Sequence, residues 1–194
     1  MTKFHDLNGT KEVKSVITID FGNTYTPVSV APDFTSMTFN SPQLDGTEEL
    51  IVVLLQPYPI SKLPLVFNLG FGPGDGHGGF LDNVSLRHAD RDKVFSTIMA
   101  LALSFLQANP DHFIGLDGSD DARARIYHRM FRSNEMELAD YFGTIGLDYY
   151  VKQLRNGDLE TNENGEYVYA PFPQSFDYSR SSNQLYRYYM FFLK

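Results

Sequence analysis

The feature that most limits the fold of this chain is an apolar helix over residues 91–108, "RDKVFSTIMALALSFLQA". Its main apolar stripe comprises Val94, Ile98, Leu101, Ala102 and Phe105, and further apolar side chains widen it. Asp90 favours the N-cap position, and Asn109-Pro110 ends the helix. A helix that is apolar around most of its circumference must be buried, so we expect it to lie across one face of a β-sheet.

The residues before this helix have the patterns of strands and their connections. Residues 13–21 alternate between apolar and polar side chains, which predicts a half-buried strand. Residues 26–32, which are bounded by prolines, predict its hairpin partner, and the polar residues 33–48 predict a surface loop. Continuous apolar runs at residues 49–56 and 65–72 predict a central strand and a further strand.

A glycine-rich stretch, "GFGPGDGHGG", occupies residues 70–79. Glycine lets backbone N–H groups approach phosphate oxygens, but no Gly-Lys-Ser/Thr ending and no predicted helix follows here. We therefore interpret the stretch as a hairpin loop, with a returning strand at residues 81–86. A short strand at residues 112–117 and a second helix at residues 120–141 are predicted next.

The C-terminal part is rich in aromatic residues that alternate as in strands. Residues 147–155 and 165–172 predict two strands around a polar surface loop, residues 155–166. The tail, "QLYRYYMFFLK" at residues 184–194, predicts a last strand. A strand this apolar would aggregate as an open edge, so we expect it to pair within the sheet or at a subunit interface.

The order of strands, helix, strand, helix and strands predicts an α+β fold. We expect a largely antiparallel sheet with two main helices packed on it and the C-terminal aromatic strand inside the sheet. A length of 194 residues suffices for one core, so the prediction is a single domain over residues 1–194. Within it, residues 1–12 are predicted to form a flexible N-terminal segment.

Composition narrows the classes of function. The formal net charge of −8 disfavours binding to nucleic acid or to an anionic membrane. The lack of cysteine excludes a disulfide, a thiolate-bound zinc and a cysteine nucleophile. The N-terminus lacks the apolar core of a signal peptide, and the apolar run in residues 91–108 is too short to span a bilayer. We expect a cytoplasmic protein without a membrane partner.

One stretch, "DGSDDARARIYHRMFR" at residues 117–132, suggests a binding role. The hydroxyl of a serine at its strand-to-helix corner can cap the helix, and a helix N-terminus with nearby arginines can bind an anion. An arginine and a tyrosine four residues apart are neighbours on the same helix face. The candidate anion-binding residues are Gly118, Ser119, Arg123, Arg125 and Tyr127.

The same helix has two further predicted faces. The candidate surface basic face comprises Arg129 and Arg132, in line with Arg125. The predicted core-facing stripe comprises Ala122, Ile126 and Met130. We expect His128 on the solvated side.

The helix N-terminus has an alternative interpretation without any ligand. Asp120 and Asp121 complement the helix dipole and can pair with Arg123 or Arg125. The helix N-terminus and its arginines would then be paired within the chain, and an incoming phosphate would meet two carboxylates. Both interpretations remain open from the sequence.

The two helical segments and the short strand between them resemble a small bacterial family of uncharacterised proteins. That family has a Gly-Ser-x-x-Ala-Arg-x-Arg-x-Tyr signature after a short strand. The matched positions are Gly118, Ser119, Ala122, Arg123, Arg125 and Tyr127. The resemblance covers about residues 63–142 and implies a fold but no reaction. Asp120-Asp121 replace a less acidic pair, and residues 22–62 and 155–183 form longer insertions.

No catalytic signature accompanies this stretch. The five histidines form no pair at metal-ligand spacing, and no Gly-x-Ser-x-Gly motif occurs, so we expect no metal and no cofactor. The prediction is a non-enzymatic binding or regulatory protein that self-associates and binds a small anionic ligand. The alternatives are an enzyme acting on a phosphate-bearing small molecule or nucleotide, and a nucleic-acid-interacting protein that uses the basic face.

Overall fold

A computed structural model of the protein describes residues 16–58, 63, 65–82, 84–117, 121–181 and 183–194. Its elements in chain order are β1 (Pro27–Val30), β2 (Ser36–Pro42), β3 (Glu48–Pro57), β4 (Val66–Pro73), α1 (Arg91–Ala108), β5 (Phe113–Asp117), α2 (Asp121–Ser133), α3 (Glu135–Ala139), β6 (Phe142–Val151), β7 (Tyr169–Ser175) and β8 (Tyr188–Leu193). The N-terminal segment predicted to be flexible, residues 1–12, lies outside the described residues.

The described strands form one sheet in the order β1-β2-β3-β4-β5-β8-β6-β7. β4 and β5 are parallel, while the other neighbouring pairs in this sheet are antiparallel. Parallel neighbours need a crossover connection, and α1 lies in the chain between β4 and β5. The predicted α+β fold with a largely antiparallel sheet is confirmed.

Helix α1 has the predicted bounds and the predicted burial. The Asp90 carboxylate accepts a hydrogen bond from the backbone N–H of Lys93 at 2.9 Å and so caps the first turn. Ile98 and Phe105 are almost completely buried between α1 and the sheet, where each stabilises the fold by about 1.5–3 kcal/mol. None of the described helices is long and apolar enough to cross a membrane.

Strand β8 lies inside the sheet, between β5 and β6. Both of its edges are therefore paired, as predicted for an aromatic strand that could not be left open. Tyr189 and Phe191 belong to the core cluster on the helix side, whereas Tyr188 and Met190 pack in a second cluster on the opposite face. Successive side chains of β8 point to opposite faces of the sheet, and apolar side chains therefore lie on both faces of this central strand.

The predicted strand at residues 13–21 is wrong for the part that the structure describes. Residues 16–20 are not part of a strand, although Ile17 and Ile19 are buried and their neighbours are exposed. The side chain of Asn134 takes the place of a partner strand. Its Oδ1 accepts the Ile19 N–H at 2.7 Å, and its Nδ2 donates to the Ile17 carbonyl at 2.8 Å. β1, which contains most of the predicted hairpin partner, pairs with β2.

Two other connections differ from their predictions. The predicted loop at residues 33–48 contains β2, because Met37, Phe39 and Ser41 alternate on the buried face among polar residues. The predicted returning strand at residues 81–86 is not a strand where it is described, and Phe80 makes a single bridge to Gly74. The predicted surface loop, residues 155–166, turns at Gly157 and Gly165, which have φ angles of +94° and +78°.

The predicted second helix is interrupted, and its buried face differs from the prediction. It is divided into α2 and α3, which meet at the buried Asn134. The buried residues of α2 are Ala124, Tyr127, His128, Met130 and Phe131, whereas Ile126 is exposed. The aromatic ring of Tyr189 on the sheet packs against Phe131 and Tyr127. Aromatic packing therefore selects this face over the stripe predicted from Ala122, Ile126 and Met130.

Candidate functional site

The candidate site is a cleft where the two parallel strands separate. β4 and β5 pair only between Val66–Asn68 and Phe113–Gly115, while β4 continues to Pro73. Beyond the paired part, the structure has a cavity of about 630 Å³. We call this cavity the β4–β5 cleft. It lies at the carboxyl ends of parallel strands, which is where α/β proteins commonly bind ligands, and its volume suits a small organic molecule.

The walls of the β4–β5 cleft are mainly apolar. Phe71 of β4 and Phe95 of α1, whose rings pack edge to face at 5.6 Å, line the helix side of the sheet. Ile126 and Tyr127 of α2 line another wall. Phe80 covers the strand from the opposite face, where its ring lies directly against the Gly70 backbone.

Arg123 is the cationic group that lines the cleft in the described part of the chain. Its guanidinium forms an ion pair with the Asp82 carboxylate at 2.8 Å and also donates a hydrogen bond to the Asp82 carbonyl. The Arg123 side chain is 33% exposed and that of Asp82 is 69% exposed. The ion pair therefore connects α2 to the β4–α1 connection at a solvent-accessible place.

A second carboxylate, Asp117, lines the cleft at the end of β5. Desolvation raises the pKa of its carboxyl group, the positive charge of Arg123 opposes that rise, and the negative charge of Asp82 adds to it. Arg123 consequently has two acidic side chains in its surroundings.

His88 lines the cleft from the β4–α1 connection and is held by two side chains at the end of β2. Its Nδ1 lies 2.8 Å from the Ser41 hydroxyl and 3.2 Å from the Gln43 amide nitrogen. Burial lowers the pKa of His88, and the positive charge of Arg91 lowers it further. The imidazole is therefore biased towards its neutral form.

The structure describes three of the five residues that the sequence grouped into one candidate anion site, namely Arg123, Arg125 and Tyr127. Arg123 and Tyr127 line the β4–β5 cleft. Gly118 and Ser119 lie outside the described residues, as does Asp120.

The remaining arginines of α2 lie on a different face. Arg125, Arg129 and Arg132 are exposed to solvent, and Arg125 forms a loose ion pair with Asp121 at 3.8 Å. The expected surface position of His128 is wrong. Its side chain is completely buried, and its Nε2–H donates to the Arg180 carbonyl at 3.0 Å.

Sequence reasoning did not identify Asp82, His88 and Asp117 as members of one site. The first two lie in the connection before α1, and the third lies beyond it, so the crossover brings together residues about thirty positions apart. The available signal was an apolar helix between two apolar strands, which is typical of a parallel β-α-β unit. In the part of the chain that the structure describes, no three His, Asp or Glu side chains could hold a metal ion together.

Comparison with known protein families gives a match over most of the chain. A model of a family of unknown function (DUF6934) matches residues 22–169, a longer stretch than the predicted resemblance over residues 63–142. No curated protein and no solved structure matches the chain. The matched residues include the β4–β5 cleft.

Proposed function

This chain belongs to the family of unknown function DUF6934, and on that premise we propose that it is a non-enzymatic module that binds a small organic monoanion in the β4–β5 cleft. The observation that carries the proposal is the position of Arg123, which places a guanidinium at the wall of a mainly apolar cleft. An apolar pocket with a few polar groups is the usual form of a site for a small organic ligand.

The anionic group of the ligand would exchange with the carboxylate of Asp82. An ion pair as exposed as that between Arg123 and Asp82 contributes about 0–1 kcal/mol, because water competes for both partners. A carboxylate whose apolar body is buried in the cleft would gain the same guanidinium contact with less competition from solvent. Displacement of Asp82 is therefore energetically inexpensive.

The surrounding charges favour a carboxylate monoanion over a phosphate. Among the described residues, Asp82 and Asp117 both lie near Arg123, so a phosphate dianion would meet the negative charges of these two carboxylates beside the positive charge of Arg123. A ligand with a single negative charge suffers less repulsion from these carboxylates. The raised pKa of Asp117 reduces the repulsion further, because it makes that carboxyl easier to protonate. These charges argue against a phosphate-bearing substrate.

The test compares hexanoate with the neutral hexanamide by isothermal titration calorimetry. We expect the wild-type protein to prefer hexanoate, and Arg123→Met to remove this preference while keeping the apolar stem of the side chain. Asp82→Asn should tighten hexanoate binding by up to about five-fold, because it removes the competing carboxylate. Arg125→Met, on the exposed face of α2, is the matched control and should leave the affinity unchanged.

Two results would overturn the proposal. One is the absence of saturable binding of hexanoate and of benzoate to the wild-type protein. The other is a preference for hexanoate that persists in Arg123→Met. Tighter binding of phenyl phosphate than of benzoate would refute the monoanion part of the proposal.

A further inference from the structure

We infer that His88 is the second ligand-contacting group of the β4–β5 cleft and that its Nε2–H donates a hydrogen bond to a neutral acceptor on the ligand. This inference rests on the proposed function, because it describes the same cleft. It narrows the ligand to a small organic monoanion that also has a carbonyl or a comparable hydrogen-bond acceptor.

The orientation of Gln43 determines which imidazole nitrogen has the proton. The amide nitrogen of Gln43 lies 2.9 Å from the Ser41 backbone carbonyl, which can only accept a hydrogen bond. The group facing that carbonyl must therefore be the NH₂ group and not the amide oxygen. Its second hydrogen is available to the imidazole Nδ1 of His88 at 3.2 Å.

An NH₂ group cannot accept a hydrogen bond, so Nδ1 of His88 is the acceptor. The hydroxyl of Ser41, 2.8 Å from the same nitrogen, then also acts as a donor. Ser41 is completely buried and Gln43 is 7% exposed, so both side chains are held in place by packing. In the neutral imidazole, the proton consequently lies on Nε2.

Nε2 is the ring nitrogen that remains for a ligand. Within the described residues, it forms no hydrogen bond, and it does not belong to the completely buried atoms without a partner. His88 lines the cleft, so this nitrogen is the polar atom that the ring can offer there. The lowered pKa of His88 supports a neutral donor, in agreement with two donors directed at Nδ1.

A neutral N–H donor and a guanidinium select different parts of a ligand. The carboxylate would bind at Arg123, where its charge is compensated. The N–H of His88 favours an uncharged acceptor, such as a ketone, ester or amide oxygen, because the ring adds no positive charge. A ligand acceptor that is buried without a donor makes binding weaker, because it gives up its hydrogen bonds to water. The contact with His88 therefore distinguishes ligands of similar size.

The first experiment measures the tautomer of His88 in the wild-type protein by long-range ¹H–¹⁵N NMR and needs no ligand. We expect a neutral imidazole with its proton on Nε2 at neutral pH. A signal pattern with the proton on Nδ1 would overturn the inference. Ser41→Ala removes one of the two donors and should shift the population towards the Nδ1–H form.

The second experiment compares 4-oxopentanoate with pentanoate, which differ by one carbonyl. Wild-type protein should bind the keto acid about two- to ten-fold more tightly, the range of one hydrogen bond. His88→Phe should remove this difference, so that the variant binds both acids equally. His88→Gln, whose amide N–H can reach a similar position, should restore part of the difference, and His77→Phe on the glycine-rich loop is the control.

The outcomes separate the two proposals. Equal binding of both acids in the wild-type protein, with dependence on Arg123, overturns the role of His88 and leaves the proposed function standing. A difference between the acids that persists in His88→Phe also overturns it. Binding of neither acid overturns the proposed function, while the NMR measurement still decides the tautomer of His88.

Discussion

Asn134 gives the sharpest test of how the N-terminal segment is held. Its side chain is 1% exposed and makes three hydrogen bonds, to the Ile19 N–H, the Ile17 carbonyl and the Met130 carbonyl. Asn134→Ala removes all three and leaves the two backbone groups of residues 17 and 19 without this partner. These groups belong to a segment that places two isoleucines in the core.

The magnitude follows from the number of buried groups left unsatisfied. A buried donor or acceptor without a partner costs about 1–3 kcal/mol, so the loss of two predicts a decrease of about 2–6 kcal/mol in the free energy of unfolding. This is a large fraction of the 5–15 kcal/mol that is typical of a domain, so the variant should be clearly less stable.

Urea unfolding followed by circular dichroism measures this difference. Asn40→Ala is the matched control, because Asn40 is exposed on β2 and forms no side-chain hydrogen bond with the described residues. Asn134→Asp should be less stable than Asn134→Ala at neutral pH, because its buried negative charge would face the Ile17 and Met130 carbonyl oxygens. It should recover as the pH falls, because the protonated carboxyl supplies one donor.

The proposed role of Asn134 would be refuted if Asn134→Ala changed the free energy of unfolding by no more than Asn40→Ala. A deficit of Asn134→Asp that stays the same as the pH falls would show that the missing donor of the ionised carboxylate does not cause it, because aspartate and asparagine have nearly the same volume. Either result would require another account of why residues 16–20 stay in the core without a partner strand.

Three further predictions concern stability. Gly115→Ala should destabilise the protein, because a Cβ would overlap the Tyr188 ring, and a Tyr188→Val background should relieve at least about 1 kcal/mol of this effect; equal effects in both backgrounds would contradict it. Burial lowers the pKa of His128, so the unfolded chain takes up a proton at this residue first as the pH falls below about 6.5, and the free energy of unfolding decreases there. In urea titrations, His128→Phe should show a smaller decrease between about pH 7 and 5, and an equal decrease would contradict this. Arg180→Lys should lower the thermal midpoint, because lysine cannot contact both Asp148 oxygens and stack on a tyrosine ring, whereas an unchanged midpoint would exclude that role.

Local patterns in the sequence determined the main elements of the fold. The periodicity and caps of α1, the apolar runs of β3 and β4, and the aromatic alternation of β8 are properties of adjacent residues. The spacing of buried side chains follows from the backbone geometry of helices and strands. It can therefore be recognised in the sequence without knowing which elements pack together.

Tertiary structure decided which elements pair and which side chains share a site. Residues 16–20 have the alternation of a strand, but Ile17 and Ile19 form hydrogen bonds with the side chain of Asn134, about 115 residues away. Two faces of α2 have helical periodicity, and only the aromatic side chains of the sheet select the one that is buried. Such choices depend on long-range packing, which local spacing does not encode.

The candidate site likewise depends partly on local sequence and partly on tertiary structure. The sequence by itself identified Arg123 and Tyr127 as residues of interest on one helix face, and the structure places both on the β4–β5 cleft. Only the crossover through α1 brought Asp82, His88 and Asp117 to that cleft. One partner of Arg123 is therefore a carboxylate 41 residues earlier in the chain, which the fold of the sheet, and not spacing along a helix, brings close to it.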